Sequence, residues 1–104
     1  MVKKVKICKR NYKIKRARIA KKVHSYCDTS KKEITLAHNV RSDIAPAALF
    51  HEILHGIFEE HIKFIFSEEE EHAIINPLEK GLCEFAKNNK EAWIMLAIRL
   101  ARVK

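Results

Sequence analysis

The sequence predicts a small α+β domain, in which an N-terminal antiparallel or mixed β-sheet packs on two to three helices. In residues 1–41, apolar residues partly alternate with Lys and Arg, as in a sheet with one solvated face. From Pro46 onward, apolar residues recur every three to four positions, which is typical of amphipathic helices. With 104 residues, 47% of them hydrophobic, the chain 1–104 has room for one domain with one core.

The N-terminal part contains four strand candidates. The first two are marked by Val5 and Ile7 and then by Tyr12 and Ile14, and two more cover residues 23–27 and 33–36. The polar residues between the last two candidates predict a hairpin turn. Residues 16–22 also fit a short basic helix, so their structure stays open.

Helix one is predicted to begin near Pro46, because proline is well tolerated in a first helical turn. Ser42 or Asp43, just upstream, is a suitable N-terminal cap. The apolar positions of this helix continue as far as Phe58.

Two capping boxes predict the starts of the next two helices. Ser67 followed by Glu70 opens helix two, expected over residues 68–87. Asn88 followed by Glu91 has the same spacing and is predicted to open helix three, which runs through Leu100.

The net charge of +8 is unevenly distributed along the chain. Residues 1–41 carry 14 Lys and Arg against 2 acidic residues, a net charge of +12. Residues 42–104 carry 7 Lys and Arg against 11 acidic residues, a net charge of −4. The basic N-terminal segment makes nucleic acid, or another polyanion, a possible partner.

The three cysteines are an odd number and form no Cys-x-x-Cys pair, which disfavours a disulfide scaffold. The first ten residues are cationic where a signal peptide needs an apolar run, and no apolar stretch is long enough to span a membrane. We therefore expect a cytoplasmic protein that does not engage membranes, and the sequence leaves its oligomeric state open.

Residues 51–55 form the pattern His-Glu-x-x-His inside the otherwise apolar helix one. On a helix, His51 and His55 lie about 40° apart, near enough to bind one zinc ion. Glu52 lies about 100° from His51, where it can reach a zinc-bound water and act as a general base. Chance produces this pattern too, and the two histidines would then be ordinary surface or core residues.

A catalytic zinc needs a third protein ligand, and Glu71, His72 and His61 compete for that role. Glu71 is favoured because it heads the apolar stripe of helix two, and a carboxylate directed into a core normally needs a cation or metal. His61 would lie about 80° from His51, on the side away from His55.

His72 shares a second stripe of helix two with Glu79 and Cys83. This stripe lies roughly 80–120° from Glu71 on a helical wheel. We expect it to be a solvated flank.

The His-Glu-Ile-Leu-His motif, the strand before it and the second helix resemble small zincin-type metallopeptidase domains. The most similar types are the SprT-like and ImmA/IrrE-like proteins of phages and mobile elements. The likeness covers roughly residues 33–89. The motif is specific to zincins, and the second-helix match is weaker.

This resemblance implies a zinc-dependent peptidase that hydrolyses a peptide bond, with His51 and His55 as ligands and Glu52 as base. In the ImmA/IrrE-like branch the third ligand is a Glu on the following helix, which corresponds best to Glu71. The resemblance also implies that the last strand before the metal helix, residues 33–36, is a sheet edge that pairs with the peptide substrate. SprT-like proteins act on DNA-bound proteins, which a basic N-terminal segment would suit.

Two other functions fit the same residues. One is a basic nucleic-acid-binding module with a structural or degenerate zinc site. The other is a small interaction protein whose zinc site is a relic of a peptidase.

Overall fold

The structure, a computed structural model, describes residues 3–19, 24–41, 44–62 and 66–103. Its strands are β1 (Lys4–Ile7), β2 (Arg10–Ala17), β3 (Ser25–Asp28) and β4 (Glu33–Ala37). Its helices are α1 (Ala45–Ile62), α2 (Glu68–Asn88) and α3 (Lys90–Leu100). The predicted α+β class is confirmed.

The four strands form one mixed sheet in the order β1-β2-β4-β3. β1 and β2 are antiparallel, β2 and β4 are parallel, and β3 and β4 are antiparallel. β4 therefore lies inside the sheet, and the expectation that residues 33–36 form a free edge is wrong. The edge strand on that side is β3.

Both hairpins of the sheet turn without glycine. Cys8 and Lys9 have φ values of 48° and 68°, so this two-residue turn is of the type that matches the twist of the strands. In the second hairpin Asp28 Oδ1 accepts hydrogen bonds from Ser30 and Lys31, as expected for a polar turn. β2 extends through Ala17, which excludes a helix starting at residue 16. Residues 20–23 lie outside the described part of the chain.

One face of the sheet packs on α1 and forms the core. Its fully buried side chains include Tyr12, Ile34 and Leu36, with Ala45 and Ala48 contributed by α1. Gly56 lets α1 approach β1 closely, because a Cβ atom at that position would lie 2.7 Å from Ile7 Cδ1. The sheet therefore fixes the position of the helix that carries the His-Glu-x-x-His motif.

The starts of α1 and α2 agree with the helix starts predicted from the sequence. α1 begins at Ala45, with Pro46 in its first turn, whereas the suggested caps at residues 42 and 43 lie outside the described residues. The capping box at Ser67 is present, with both hydrogen bonds to Glu70 formed.

The predicted capping box at Asn88 is wrong. α2 includes Asn88, and Asn89 is the junction to α3. The backbone N–H and the side-chain amide of Asn89 both donate to Phe85 O, so this residue closes α2 and offers no side-chain cap to α3. Among the described residues, no helix is long and apolar enough to cross a membrane.

Candidate metal centre

The two histidines of the motif face each other on successive turns of α1. Their Nε2 atoms are 3.1 Å apart. Two nitrogen ligands of one tetrahedral zinc, each about 2.0–2.1 Å from the metal, are about 3.3 Å apart. The spacing of His51 and His55 therefore fits a shared metal ion without rearrangement.

Each histidine also contacts a carboxylate of α2 through its other ring nitrogen. His55 Nδ1 lies 2.6 Å from Glu71 Oε1, and His51 Nδ1 lies against Glu79 Oε2. A carboxylate accepts hydrogen bonds, so neutral imidazoles in these contacts carry the proton on Nδ1. Both Nε2 lone pairs then point toward the same space, which is the arrangement that second-shell carboxylates impose on metal-binding histidines.

Protonation of one ring is the alternative way to relieve two facing lone pairs. Burial lowers the pKa of His55, and the neighbouring His51 and His72 lower it further, against the opposing charge of Glu52. A proton on His55 is therefore disfavoured. A cation between the two Nε2 atoms satisfies both rings.

A third histidine comes to this point from α2. One ring nitrogen from each of His51, His55 and His72 lies within 4.8 Å of the other two. The ring centroids of His55 and His72 are 4.7 Å apart. The three histidines can thus supply three nitrogen ligands, which is the number that a catalytic zinc site with one open position requires.

Of the sequence-predicted candidates for third ligand, two reach the site. Glu71 is buried, 5% exposed, but it contacts the Nδ1 side of His55, away from the facing Nε2 atoms. His61 is exposed on the last turn of α1 and is not part of the histidine cluster. That Glu71 itself binds the metal stays a prediction.

The expectation that His72 and Glu79 lie on a solvated flank is wrong. Both are partly buried and line the cleft beside α1, whereas Cys83 on the same stripe is exposed. The reason is that both residues contact histidines of α1: Glu79 lies against His51, and the ring centroid of His72 lies 4.7 Å from that of His55. The seven-residue spacing of His72 and Glu79, which sets them on one helix face, was the available signal.

Glu52, the predicted base, is also close to the site and nearly buried, at 5% exposure. Ser25 Oγ on β3 donates a hydrogen bond of 2.6 Å to Glu52 Oε2. No sequence pattern indicated Ser25, because it lies 27 residues before Glu52 and only the packing of α1 on β3 brings the two together.

A second carboxyl group lies behind Glu71. Burial, followed by the hydrogen bond and the charge of Glu71, raises the pKa of Glu59 to about 7. Burial and the charge of Glu52 likewise raise the pKa of the Cys27 thiol to about 12, so this thiol is protonated and unreactive at neutral pH. A cation bound at the site would favour the ionised forms of these acidic groups.

The cluster opens into a cleft of about 880 Å³. Its walls include the histidine cluster, Glu52 and residues of β3. Ala37 N donates to His24 O across the β3–β4 pair. In an antiparallel pair, alternate residues bond to the neighbouring strand, so the backbone groups of Ser25 and Cys27 point away from β4. In the described part of the chain, β3 pairs with β4 alone, and its other edge borders the cleft.

No family model, curated protein or solved structure matches this chain.

Proposed function

We propose that this chain is a zinc-dependent peptidase of the zincin type, active in the cytoplasm on peptide or protein substrates. The observation that carries the proposal is the facing pair of His51 and His55 Nε2 atoms, 3.1 Å apart, with Glu52 on the same helix beside them. Each histidine is oriented by a carboxylate, and Glu52 is held by Ser25. Such orientation is expected of a site built to bind a metal.

Zinc bound here would polarise the substrate carbonyl and make its coordinated water a nucleophile at neutral pH. Glu52 would take the proton from that water and deliver it to the leaving amine. Ser25 would keep the carboxylate of Glu52 directed at the cleft through its 2.6 Å hydrogen bond. Glu52 does not belong to the group of candidate metal ligands, so its carboxylate would remain available for proton transfer.

For the third ligand we favour His72, with Glu71 and Glu79 orienting His55 and His51. Glu71 contacts the ring nitrogen of His55 that faces away from His51, which suits an orienting role better than a ligand role. His72 offers a nitrogen within 4.8 Å of both other rings. Substitution of Glu71 and of His72 is the deciding test.

For the substrate, the free edge of β3 is the best binding surface. The zincin resemblance implies a sheet edge next to the metal helix, and β4 lies inside the sheet. The outward backbone groups of Ser25 and Cys27 can hydrogen-bond an extended peptide, as in β-strand addition. The substrate class would then be a locally unfolded or extended segment.

The test combines metal analysis with hydrolysis of an unfolded protein substrate. We expect one zinc per chain, and we expect Glu52→Gln to keep the zinc while hydrolysis falls by about 10²–10⁴-fold. Glu84→Gln removes an exposed carboxylate of α2 away from the cleft and should change neither. Full zinc occupancy with no hydrolysis by the unaltered chain would reject the peptidase and leave a structural zinc.

Two further variants separate the ligand assignments. Glu71→Gln removes an orienting partner and should lower zinc affinity by about 10–100-fold. His72→Ala removes a ligand and should lower zinc affinity further. The reverse order would restore Glu71 as the third ligand.

A second candidate function is nucleic-acid binding by the outer face of the sheet. The side chains on the face away from α1 include Lys4, Lys6, Lys13 and Lys15, and Lys4 is the direct partner of Lys13 in the register. Like charges opposed across strands are destabilising, and phosphate groups would relieve them. Reversing Lys13 to Glu should lower both DNA or RNA affinity and the steepness of its salt dependence. Unchanged binding would reject this candidate.

A further inference from the structure

The outer face of the sheet, which points away from α1, is covered by no helix in the described part of the chain. Of the described helices, α1 contacts the strands, and it does so on the face that carries Tyr12 and Ile34. α2 contacts α1 and α3 but no strand, and α3 contacts α2. No described helix therefore competes with a partner for the outer face.

The outer face carries lysines whose charge the fold leaves unbalanced. Lys4 and Lys13 are direct partners across β1 and β2, and Lys6 points the same way as Lys4. Among the described residues, no ion pair involves these three lysines, whereas Lys15, on the same face, pairs with Glu33 at 3.1 Å. Unpaired cations this close together favour an anionic partner.

Two carboxylates share the outer face, at its β3–β4 end. Glu33 is the one paired with Lys15, and Asp28 lies beside Glu33 in the register. Asp28 Oδ1 is engaged by the hydrogen bonds of the turn that follows β3. Four lysines against two acids leave the face with a net charge of +2.

Tyr26 adds an exposed aromatic ring to this face. Its neighbours Ser25 and Cys27 point toward α1, where Ser25 bonds to a carboxylate and Cys27 packs against the core. Side chains alternate along a strand, so the ring of Tyr26 lies on the outer face, and Tyr26 is 45% exposed. Tyr26 pairs with Thr35 and Thr35 with Lys15, which sets the ring two strand spacings, about 10 Å, from Lys15.

We propose that the outer face of the sheet binds single-stranded nucleic acid, with a base stacked on Tyr26 and the neighbouring phosphates bound by the lysines of β1 and β2. Aromatic rings exposed on a sheet stack on unpaired bases, and nearby cations hold the backbone of the strand. The proposal rests on the second candidate function above and narrows it to unpaired strands. It does not depend on the metal centre.

A duplex fits this face less well than a single strand. Bases in a duplex stack on one another, so their faces are closed to the ring of Tyr26. From β1 to β3 the sheet spans three strand spacings, about 14 Å, which is wider than the roughly 12 Å of a major groove. A strand with unpaired bases uses the lysines and the ring together.

Fluorescence anisotropy of the full chain tests the proposal, with a labelled oligothymidylate of about 20 nucleotides and a duplex of the same length as probes. A duplex has the higher charge density, so a face that attracts phosphates alone would prefer the duplex. We expect the oligothymidylate to bind more tightly, by about fivefold or more, because stacking adds to its affinity.

Tyr26→Ala should weaken binding of the oligothymidylate by about 5- to 100-fold and leave its salt dependence unchanged, since it removes a ring and no charge. Tyr26→Phe should keep the affinity, whereas Tyr26→Leu, which retains an apolar side chain in the strand, should lose it as Tyr26→Ala does. Lys13→Gln should lower both the affinity and, by about 0.7, the slope of log affinity against log salt concentration.

Phe85→Ala is the matched control, because it removes a ring of similar exposure, 41%, from a helix that does not contact the sheet. It should leave the affinity unchanged, and circular dichroism should show a folded chain for every variant. Equal binding of duplex and oligothymidylate would overturn the proposal, as would full affinity in both Tyr26→Ala and Tyr26→Leu.

Loss of affinity in Lys13→Gln separates the two levels of the argument. If it accompanies either of those results, the broader nucleic-acid function stands and the single-strand proposal fails. Binding of neither probe at low salt would reject both. Binding of phosphatidylglycerol vesicles without binding of the oligothymidylate would assign the lysines to a lipid surface and would also reject both.

Discussion

Replacing Gly56 with Ala tests how closely α1 approaches the sheet. The added Cβ atom would lie 2.7 Å from Ile7 Cδ1 and 3.9 Å from Cys27 Sγ. Carbon atoms pack best at about 3.5–4.0 Å, so the contact with Ile7 is too short by about 1 Å. Ile7 is itself in the core at 4% exposure, which leaves its terminal methyl group little space to move.

The other glycine of the chain provides the reference for helix propensity. Gly81 lies inside α2, and a Cβ atom there would meet nothing within 4 Å. Gly81→Ala should therefore raise the free energy of unfolding by about 0.5–1 kcal/mol, because alanine loses less conformational entropy on folding. Gly56→Ala has the same entropic gain, opposed by an overpacking cost of about 1–3 kcal/mol.

The prediction is the difference between the two variants. Gly56→Ala should be less stable than Gly81→Ala by about 1–3 kcal/mol, or by roughly 5–15 °C in Tm for a chain of this length. Urea unfolding followed by circular dichroism measures it, with a chelator present so that bound metal does not contribute. Equal stabilisation by both substitutions would refute the close approach of α1 to β1.

Three further predictions concern buried polar groups. Tyr12→Phe should lower the free energy of unfolding by about 1–2 kcal/mol, because the buried hydroxyl donates a 2.6 Å hydrogen bond to Glu60. Urea unfolding at neutral pH measures this loss. A loss below about 0.5 kcal/mol would contradict the prediction. Ser25→Ala removes a hydrogen-bond donor to the nearly buried Glu52, so it should lower the free energy of unfolding by about 1–3 kcal/mol in the same measurement. An unchanged unfolding midpoint would mean that water replaces the hydroxyl. Because the pKa of Glu59 is raised from 4.5 to about 7, its favourable contribution is complete below pH 4.5 and is lost as the pH rises through 7. In metal-free protein, the free energy of unfolding should therefore fall between pH 4.5 and about pH 8 by about 1 kcal/mol less in Glu59→Gln than in the unaltered chain. The same pH dependence in both proteins would argue against a protonated carboxyl group at Glu59.

Features that depend on neighbouring residues were predictable from the sequence. The capping box at Ser67 needs only Glu70 three residues later, and it is present in the structure. The capping box predicted at Asn88 is absent, because Asn88 is still part of α2. Asn89 bonds back to Phe85 and leaves α3 without a side-chain cap.

The sheet order was not predictable in this way. Alternating apolar residues indicate strands and their inward faces, but they do not say which strands are neighbours. The parallel pairing of β2 with β4 joins residues 20 positions apart, such as Ile14 and Ile34. That pairing moves β4 inside the sheet and makes β3 the edge beside the cleft.

The sequence by itself determined how the residues of the His-Glu-x-x-His motif are arranged on their helix. A spacing of four residues on a helix sets His51 and His55 on one face, with Glu52 beside them, because helix geometry is local and repeats every 3.6 residues. Which groups of α2 meet that face was decided by tertiary structure. The packing of α1 on α2 brings His72, Glu71 and Glu79 to the two histidines, and no local rule of spacing predicts that packing.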